Sequence, residues 1–231
     1  MSVSPIATMF DRISPKYDAL NHLLSLNIDK VWRRKAAKAV TKKQSKTILD
    51  LATGTADLAI TLAKRNPQAH IIGMDMSEKM LEIGEEKVTK QKLDGQIELR
   101  LGNAAALPFE DDTFDAVSVA FGVRNFEDLD KGLSEIHRVL RPGGQAVILE
   151  FSMPEKFPVK QLYRFYFKRI LPYVGKRISK DESAYDYLPT SVEHFPKPET
   201  FLQLLGEKGL KNSTKRPLSF GIATLYQAKK Q

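Results

Sequence analysis

Ile48-Leu49-Asp50-Leu51-Ala52-Thr53-Gly54-Thr55-Ala56-Asp57, then a helical run, then His70-Ile71-Ile72-Gly73-Met74-Asp75, is the stretch that decides the fold. Its first piece reads as a short apolar strand ending in an acid and a turn of small residues. Leu58, Leu62 and Ala63 continue at helical spacing, and a second short apolar strand closes on another acid. That is a βαβ half-unit, which leaves a nucleotide-sized crevice at the carboxyl ends of its strands. Spacing by itself does not choose among NAD, FAD and S-adenosylmethionine.

Local chemistry does. A dinucleotide fingerprint wants small residues at 52, 54 and 57, so that pyrophosphate can rest on the helix N-terminus. Position 57 is an aspartate. A carboxylate about 4 Å from a phosphate charge costs on the order of 4 kcal/mol at an effective dielectric of about 20. S-adenosylmethionine carries no phosphate and presents an ammonium, a carboxylate and a sulfonium. Asp50 and Asp57 beside Gly54 and Thr55 suit that ligand better. Asp75, ending the second strand, is placed to accept hydrogen bonds from both ribose hydroxyls.

Outward from this unit, 231 residues suffice for one α/β domain with a substantial core. The chain has no cysteine, which excludes disulfides and a thiolate nucleophile, and its four histidines show no ligand spacing, so no metal is expected. There is no run of eighteen apolar residues, and Met1 to Phe10 is neither basic nor apolar enough for a signal peptide. A cytoplasmic protein is the expectation.

The net charge of +8 is uneven. Lys30 to Lys46 holds eight basic residues and no acid, and Lys160 to Lys180 holds seven and no acid. Without those fifteen, acids outnumber bases, so the basic character points to a localised anionic partner.

Along the chain, Met1 to Thr8 reads as a loose arm. Helices follow, one with Leu20, Leu23 and Leu24, another with Val31, Trp32, Ala36, Ala39 and Val40 as core. Ser77 caps a helix, Gln96 to Leu101 alternates as a strand, and Phe114 to Ala120 is a buried strand. Leu129 to Leu140 is a helix stopped by Arg141-Pro142-Gly143-Gly144, and Gln145 to Phe151 is the next strand. The last two strands, around Pro217 to Phe220, read as an antiparallel ending of a parallel sheet. The expectation is one α/β domain over 1–231 with a doubly wound, seven-stranded, mostly parallel sheet. Residues 1–46 form a helical arm, 47–151 the cofactor-binding core, 152–195 an insertion after the fifth strand, and 196–231 a C-terminal helix and strands. Arm and insertion should lie over the carboxyl edge of the sheet.

Asp50 to Asp57, Asp75, Asn103-Ala104 with Leu107-Pro108-Phe109, and Arg141-Pro142-Gly143-Gly144 together resemble a class I S-adenosylmethionine-dependent methyltransferase. Tyr17-Asp18-Ala19-Leu20-Asn21 with Ser25 and Trp32 resembles a signature of the ubiquinone/menaquinone biosynthesis C-methyltransferases. So does Arg138 to Gly144 with Glu150 and Ser152. Phe121-Gly122-Val123-Arg124-Asn125 and Tyr185-Asp186-Tyr187-Leu188 with Ser191 strengthen the likeness, which runs from about Phe10 to the C-terminus. Departures are Ala56 where that family usually has glycine, Asp29 for histidine, Leu20 for methionine, Arg141 for lysine and Ala120 for a cofactor-contacting serine.

The resemblance implies methylation of a ring carbon of a polyprenylated quinol. Demethylmenaquinol to menaquinol is the first candidate and a ubiquinone-pathway benzoquinol the second; the sequence does not decide the ring. It further implies S-adenosylmethionine held by Asp50, Gly54, Thr55, Asp57 and Asp75, with Asn103 through its side chain and Ala104 through its backbone at the adenine edge. Arg124, with Asn125 beside it, would bind and acidify the phenol while water takes the proton. Tyr17, Asn21, Tyr185 and Tyr187 would line the ring pocket, and His22 would be a helix-surface residue. Because a prenyl tail stays in the bilayer, the two basic segments should flank the pocket mouth and give weak, salt-sensitive binding to an anionic membrane at its inner face. A homodimer is also open. Basic segments interleaved with Tyr163, Phe165, Tyr166, Phe167 and Tyr173 would suit RNA, but the amino-group-gripping motif and a catalytic cysteine are missing, so no nucleic-acid partner is expected. A methyltransferase for another lipophilic substrate and a non-catalytic scaffold are the remaining alternatives.

Overall fold

The computed structural model describes residues 4–25, 27–43, 45–166, 169 and 182–231. Seven strands form one sheet in the order β3-β2-β1-β4-β5-β7-β6. They are β1 Thr47–Leu51, β2 His70–Asp75, β3 Ile97–Leu101, β4 Phe114–Ala120, β5 Leu140–Phe151, β6 Leu210–Leu218 and β7 Ala223–Lys230. β1 to β5 are parallel, and β7 runs antiparallel between β5 and β6, as the alternation predicts. Strand order reverses between β1 and β4, so the crevice opens where Leu51 and Ala120 end.

Helices cover both faces. α2 (Ile28–Val40) and α3 (Asp57–Arg65) bury Ala36, Val40, Leu58 and Leu62 against Ile48, Ile71 and Val147. On the other face, α5 (Leu129–Val139) and α8 (Pro198–Glu207) bury Leu133, Ile136, Phe201 and Leu205 against Leu49, Val117 and Tyr226. Their starts are chemically marked. Ser77 accepts from the Met80 N–H at 3.2 Å to cap α4 (Glu78–Lys90), and Asp128 accepts from the Lys131 N–H at 3.0 Å to cap α5.

The arm departs from its expected form. Residues 5–8, read as loose, open α1 (Pro5–Leu24), where proline suits the first turn because its missing N–H has no helical partner there. Val31 is 44 % exposed and is no core residue, whereas Trp32 is buried at 3 %. The side chains of Leu20, Leu23 and Leu24 lie outside the described residues. β5 begins at Leu140, before Arg141 to Gly144, and the register against β4 shifts between Phe114 and Ala116 to absorb that turn-forming stretch. The insertion carries α6 (Val159–Phe165) and α7 (Glu182–His194); much of Lys160 to Lys180 lies outside the described residues.

Candidate active site

α1 crosses the carboxyl edge of the sheet and walls two adjoining chambers. The first is bounded by Ala52 and Gly54 after β1, Met74 and Asp75 at the end of β2, Gly102 and Ala104 after β3, and Gly122 and Asn125 after β4. Gly54 has φ +55, and a Cβ there would meet nothing within 4 Å, so this turn faces open space. The Asp75 carboxylate accepts from the Gly54 N–H at 2.8 Å through Oδ2 and from the Ser77 N–H at 2.9 Å through Oδ1. Burial raises its pKa despite those two bonds. Each oxygen keeps a lone pair for a further donor. An apolar wall of Met74, Met76, Met80, Ala104 and Phe126 beside one carboxylate fits a nucleoside with a diol.

The second chamber is bounded by Met9, Ile13, Tyr17 and Asn21 of α1, Ser25, Asp29 and Arg33, then Phe151, Arg124, Tyr187 and Leu188. Phe10, Tyr17 and Phe121 belong to both chambers and form the boundary between them. Phe121 stacks at 4.5 Å on Phe151, and Trp32 backs both rings. Arg124 reaches this chamber from the turn after β4. Its Nη1 donates to Glu150 Oε1 at 2.8 Å and to the Phe121 carbonyl, and its Nε donates to Ser191 Oγ at 3.2 Å. Glu150 is fully buried, so this ion pair is a structural anchor as well as a charge beside the chamber. Among the described residues, nothing bonds Nη2. Burial raises the Tyr17 pKa, against the pull of the Arg124 and Arg33 charges. The Tyr187 hydroxyl donates to Asn125 Oδ1 at 2.9 Å, joining the insertion to the turn after β4.

Residues 2–230 match the ubiE/COQ5 methyltransferase family. The chain belongs to that family. It is 47 % identical over 225 residues to a protein of Bacteroides fragilis named demethylmenaquinone methyltransferase, covering 97 % of this chain and 92 % of that one. It is 46 % identical to the ubiquinone/menaquinone biosynthesis C-methyltransferase UbiE of Geobacter sulfurreducens, over 97 % of this chain and 88 % of the other. Among solved structures, a Thermotoga maritima protein described as an S-adenosylmethionine-dependent methyltransferase superposes with TM-score 0.67 at 15 % identity, covering 98 % of this chain and 100 % of that one. The cyclase SpnF superposes with TM-score 0.72 at 16 % identity, covering 99 % and 96 %. These two likenesses show the class I methyltransferase fold and no more. Family and fold together make this chain a methyltransferase and imply S-adenosylmethionine as the methyl source.

In the methyltransferase, the residues expected at the cofactor separate into two groups. Gly54, Asp75 and Ala104 line the first chamber, with Asn125 joining them there. Asp50 lies behind the wall, 1 % exposed, with Oδ2 accepting from Thr53 Oγ1 at 2.7 Å and Oδ1 from Ser118 Oγ at 2.6 Å. Burial lifts its pKa to about 6. Asn103 turns its side chain away from the chamber: Nδ2 donates to Glu127 at 2.8 Å, and Oδ1 accepts from the Ala105 N–H at 2.8 Å. Thr55 and Asp57 also stand outside, in an ionic cluster at the junction of α1, α2, α3 and α4. Thr55 Oγ1 donates to Asp18 at 2.6 Å, and Lys87 reaches Asp18 at 2.9 Å and also pairs with Asp57.

That cluster corrects the placement of His22. It is no helix-surface residue. Its Nδ1 is 2.8 Å from Asp29, and its Nε2 is 3.8 Å from Asp57. Arg33 pairs with Asp29 and lies 3.8 Å from Asp57. Burial opposes ionisation of Asp29, yet Ser25 at 2.6 Å and Arg33 hold its pKa below the usual carboxylate value. Asp29 therefore meets an imidazole arriving from position 22. Asn21, Ser25, Asp29 and Arg33 recur every four residues, a spacing that could have marked this wall in the sequence, although Asn27 at φ +60 breaks the helix between them. Phe10, Phe121 and Phe151 carried no signal beyond ordinary core aromatics. The Tyr185 side chain lies outside the described residues.

The first basic segment falls differently from the expectation, and much of the second lies outside the described residues. α2 leads into β1, which starts at the amino edge of the sheet, so Lys38, Lys42 and Lys46 sit at the end remote from both chambers. The Lys46 N–H bonds Asp115 at 2.7 Å there. Only the start of that segment reaches the active edge, and Arg33 within it is buried. Tyr163 is buried as well, which removes one ring from the aromatic-basic surface.

Proposed function

We propose that this methyltransferase transfers a methyl group to a ring carbon of a polyprenylated quinol, demethylmenaquinol in the first place, at the inner face of a membrane. The observation that carries the reading is the shared boundary of Phe10, Tyr17 and Phe121. It separates a chamber that ends in the Asp75 carboxylate from one that is aromatic, mostly apolar and faced by a guanidinium. The names of the relatives supply the substrate class. Bound S-adenosylmethionine supplies an electrophilic methyl on a sulfonium. Asp75 would accept its ribose hydroxyls, Gly54 would give it room, and the Ala104 backbone would meet the adenine edge. Asp50, Thr55, Asp57 and Asn103 would act through the turn they hold.

On the other side, the chain has to make an aromatic carbon nucleophilic and hold it in line about 3 to 3.5 Å from the methyl carbon. A phenol with an ordinary pKa of about 10 gains ring electron density when its proton leaves, here to water. As the carbon–carbon bond forms, the sulfur–methyl bond would break to leave neutral S-adenosylhomocysteine. The methylated ring carbon would lose its hydrogen as a proton to water, restoring the aromatic ring. Arg124 would donate through Nη2 to the developing phenolate, and that bond strengthens as charge grows. Phe121 and Phe151, packed on each other at 4.5 Å, would border one face of the ring. Tyr17 would border its hydroxyls, and Asn125 would act through Tyr187, whose hydroxyl it accepts from. The test uses purified protein, S-adenosylmethionine and demethylmenaquinol in detergent, with the product examined by mass spectrometry and carbon NMR. A new ring methyl supports the reading; an O-methyl ether, or no product while the cofactor binds, overturns it. In parallel, Asp75→Ala should weaken cofactor binding by about 2 to 4 kcal/mol, since a charged acceptor of two hydroxyls is lost. Unchanged calorimetric affinity would remove Asp75 from the ribose.

A further inference from the structure

The most exposed large apolar side chains of the described residues include Phe220 at 83 %, Phe157 at 80 %, Leu162 at 65 % and Phe165 at 60 %. They come from two separate pieces of chain, the stretch from Phe157 into α6 and the turn at Phe220, and topology gathers those pieces on one edge. β5 ends at Phe151 and β7, antiparallel to it, starts at Ala223, so the turn carrying Phe220 stands at the carboxyl edge with the chambers. Ser152 ties the loop before α6 to that turn: its N–H donates to the Ile222 carbonyl at 3.0 Å and its Oγ to the Gly221 carbonyl at 2.8 Å. Trp32 Nε1 donates to Ser219 Oγ at 2.9 Å and fixes the turn to α2. Phe157 and Phe220 then rim one groove floored by Met153, Val159 and Pro217.

Nothing in the packing calls for this exposure. Phe220 has φ +60, between Ser219 at +45 and Gly221 at +91, a backbone that L side chains rarely adopt. The strain holds an aromatic ring in water, the reverse of what burial alone would select. Lys156, Lys160 and Arg164 are exposed beside the rings, and among the described residues none of the three is in an ion pair. Glu155 is the acid exposed with them on the groove; Glu199 there is paired with Lys215. Phe151, Met153, Leu188 and Ile222 pack around the buried Tyr163 and Val192, an apolar cluster that reaches from Phe151 and Leu188 of the acceptor chamber to Met153 of this groove.

We propose that this edge is the protein's bilayer-docking surface, with Phe157 and Phe220 entering the headgroup layer of an anionic membrane and Lys156, Lys160 and Arg164 facing its phosphates. Rings projecting singly from a turn, a loop and a short helix, with cations between them, suit a fluid interface of apolar and anionic groups better than the flat face a protein partner needs. Continuity with the acceptor chamber aims the chamber mouth at the lipid, and this purpose rests on the prenylated-substrate reading. The contacts themselves do not depend on it. The surface takes in Lys160 and Arg164 from the second charge run and leaves out most of the first, because Lys38 and Lys42 sit at the opposite edge.

The test is sedimentation of the full chain with vesicles of phosphatidylcholine alone or with phosphatidylglycerol, at low and high salt. Phe157→Ser/Phe220→Ser should lower partitioning by about tenfold per ring at any salt. Lys156→Glu/Lys160→Glu/Arg164→Glu should lower it at least about fivefold per residue, and only at low salt with anionic lipid. Lys38→Ser/Lys42→Ser should leave it unchanged. Because Trp32 is buried and is the single tryptophan, Phe220→Trp adds an exposed reporter. Its emission should shift to the blue on vesicles and be quenched by brominated lipid. Wild-type partitioning by both surface variants, or no spectral response, overturns the proposal. So does lipid-independent self-association that the double Phe variant abolishes, which would make the patch a face between two copies. Turnover of a tail-less soluble quinol should survive in the double Phe variant. If no quinol is methylated while vesicle binding follows these variants, the substrate reading fails and the docking surface stands.

Discussion

At Arg124 the proposed catalytic role meets a structural one in a single side chain, and the two can be separated. The guanidinium neutralises Glu150, which is fully buried. Arg124→Ala therefore leaves a buried carboxylate without its cation, and breaking such a pair costs about 3 to 5 kcal/mol of stability. It should also slow methyl transfer about 10²- to 10³-fold, the scale of one oxyanion donor. Adding Glu150→Gln should recover most of the melting temperature and none of the rate. Recovery of both would make Arg124 purely structural. Arg124→Lys should restore little turnover, because an ammonium lacks the planar fork. A second residue-scale test concerns Asp50. Its folded pKa of about 6 lies above its ordinary 3.8, so the folded state holds this proton more tightly than the unfolded chain. The resulting stability is fully present below about pH 4 and is lost as pH rises through 6. Asp50→Asn lacks that dependence. Its stability relative to wild type, in the apo state, should improve by about 2 kcal/mol between pH 4 and 7; parallel urea titrations at four pH values would show a flat difference if Asp50 titrates normally.

At the scale of elements, the strand ends after β1 and β4 set the size of the cofactor chamber. A Cβ on Gly122 would lie 2.3 Å from the Ala52 Cβ, too close for two rigid backbones. The glycine is there for room and not for its conformation, since its φ is −122 and Phe121 takes the positive φ of 59. Gly122→Ala should cost about 1 to 3 kcal/mol by overpacking and weaken cofactor binding at least about tenfold as the two strand ends part. A melt and a titration of the same sample check both. Such clashes are invisible in sequence, where Ala52 and Gly122 stand seventy residues apart. What was legible there is local: the period-two strands, the helix after Gly54, the Ser77 cap and the antiparallel ending each follow from a few neighbouring residues. The acids were not. Asp50, Asp57 and Asp75 look alike at strand and helix ends, and only the tertiary partners sort them. Ser118 and Thr53 enclose Asp50, Lys87 and Arg33 draw Asp57 aside, and Asp75 alone of the three faces the chamber.

For the molecule as a whole, α1 is the piece that both chambers share, and it is held differently from the rest. The sheet and its covering helices are joined by apolar cores, whereas polar contacts carry much of α1's attachment to α4. Asp11 accepts from Ser77 Oγ at 2.6 Å and from the Lys79 N–H at 3.3 Å, and Asp18 pairs with Lys87 at 2.9 Å. Partly exposed polar contacts of this kind are weak, so α1 is expected to open more easily than the sheet and its covering helices. Phe10 and Tyr17 roof the boundary that the methyl group would cross under the proposed reaction. Opening of α1 should therefore gate cofactor entry and product release, on the microsecond-to-millisecond scale of such lids. The chain's lack of cysteine makes this testable without background. In Asp11→Cys/Lys79→Cys, a short bis-thiol reagent would bridge α1 to the start of α4. The bridged protein should melt higher and bind S-adenosylmethionine at least about tenfold more slowly than the same variant after the bridge is cleaved, with equilibrium affinity little changed. Stopped-flow tryptophan fluorescence reads the rate through Trp32, which packs on Phe121 at the chamber boundary. Equal association rates before and after cleavage would mean that the cofactor enters past a stationary α1, by way of the open side at Gly54.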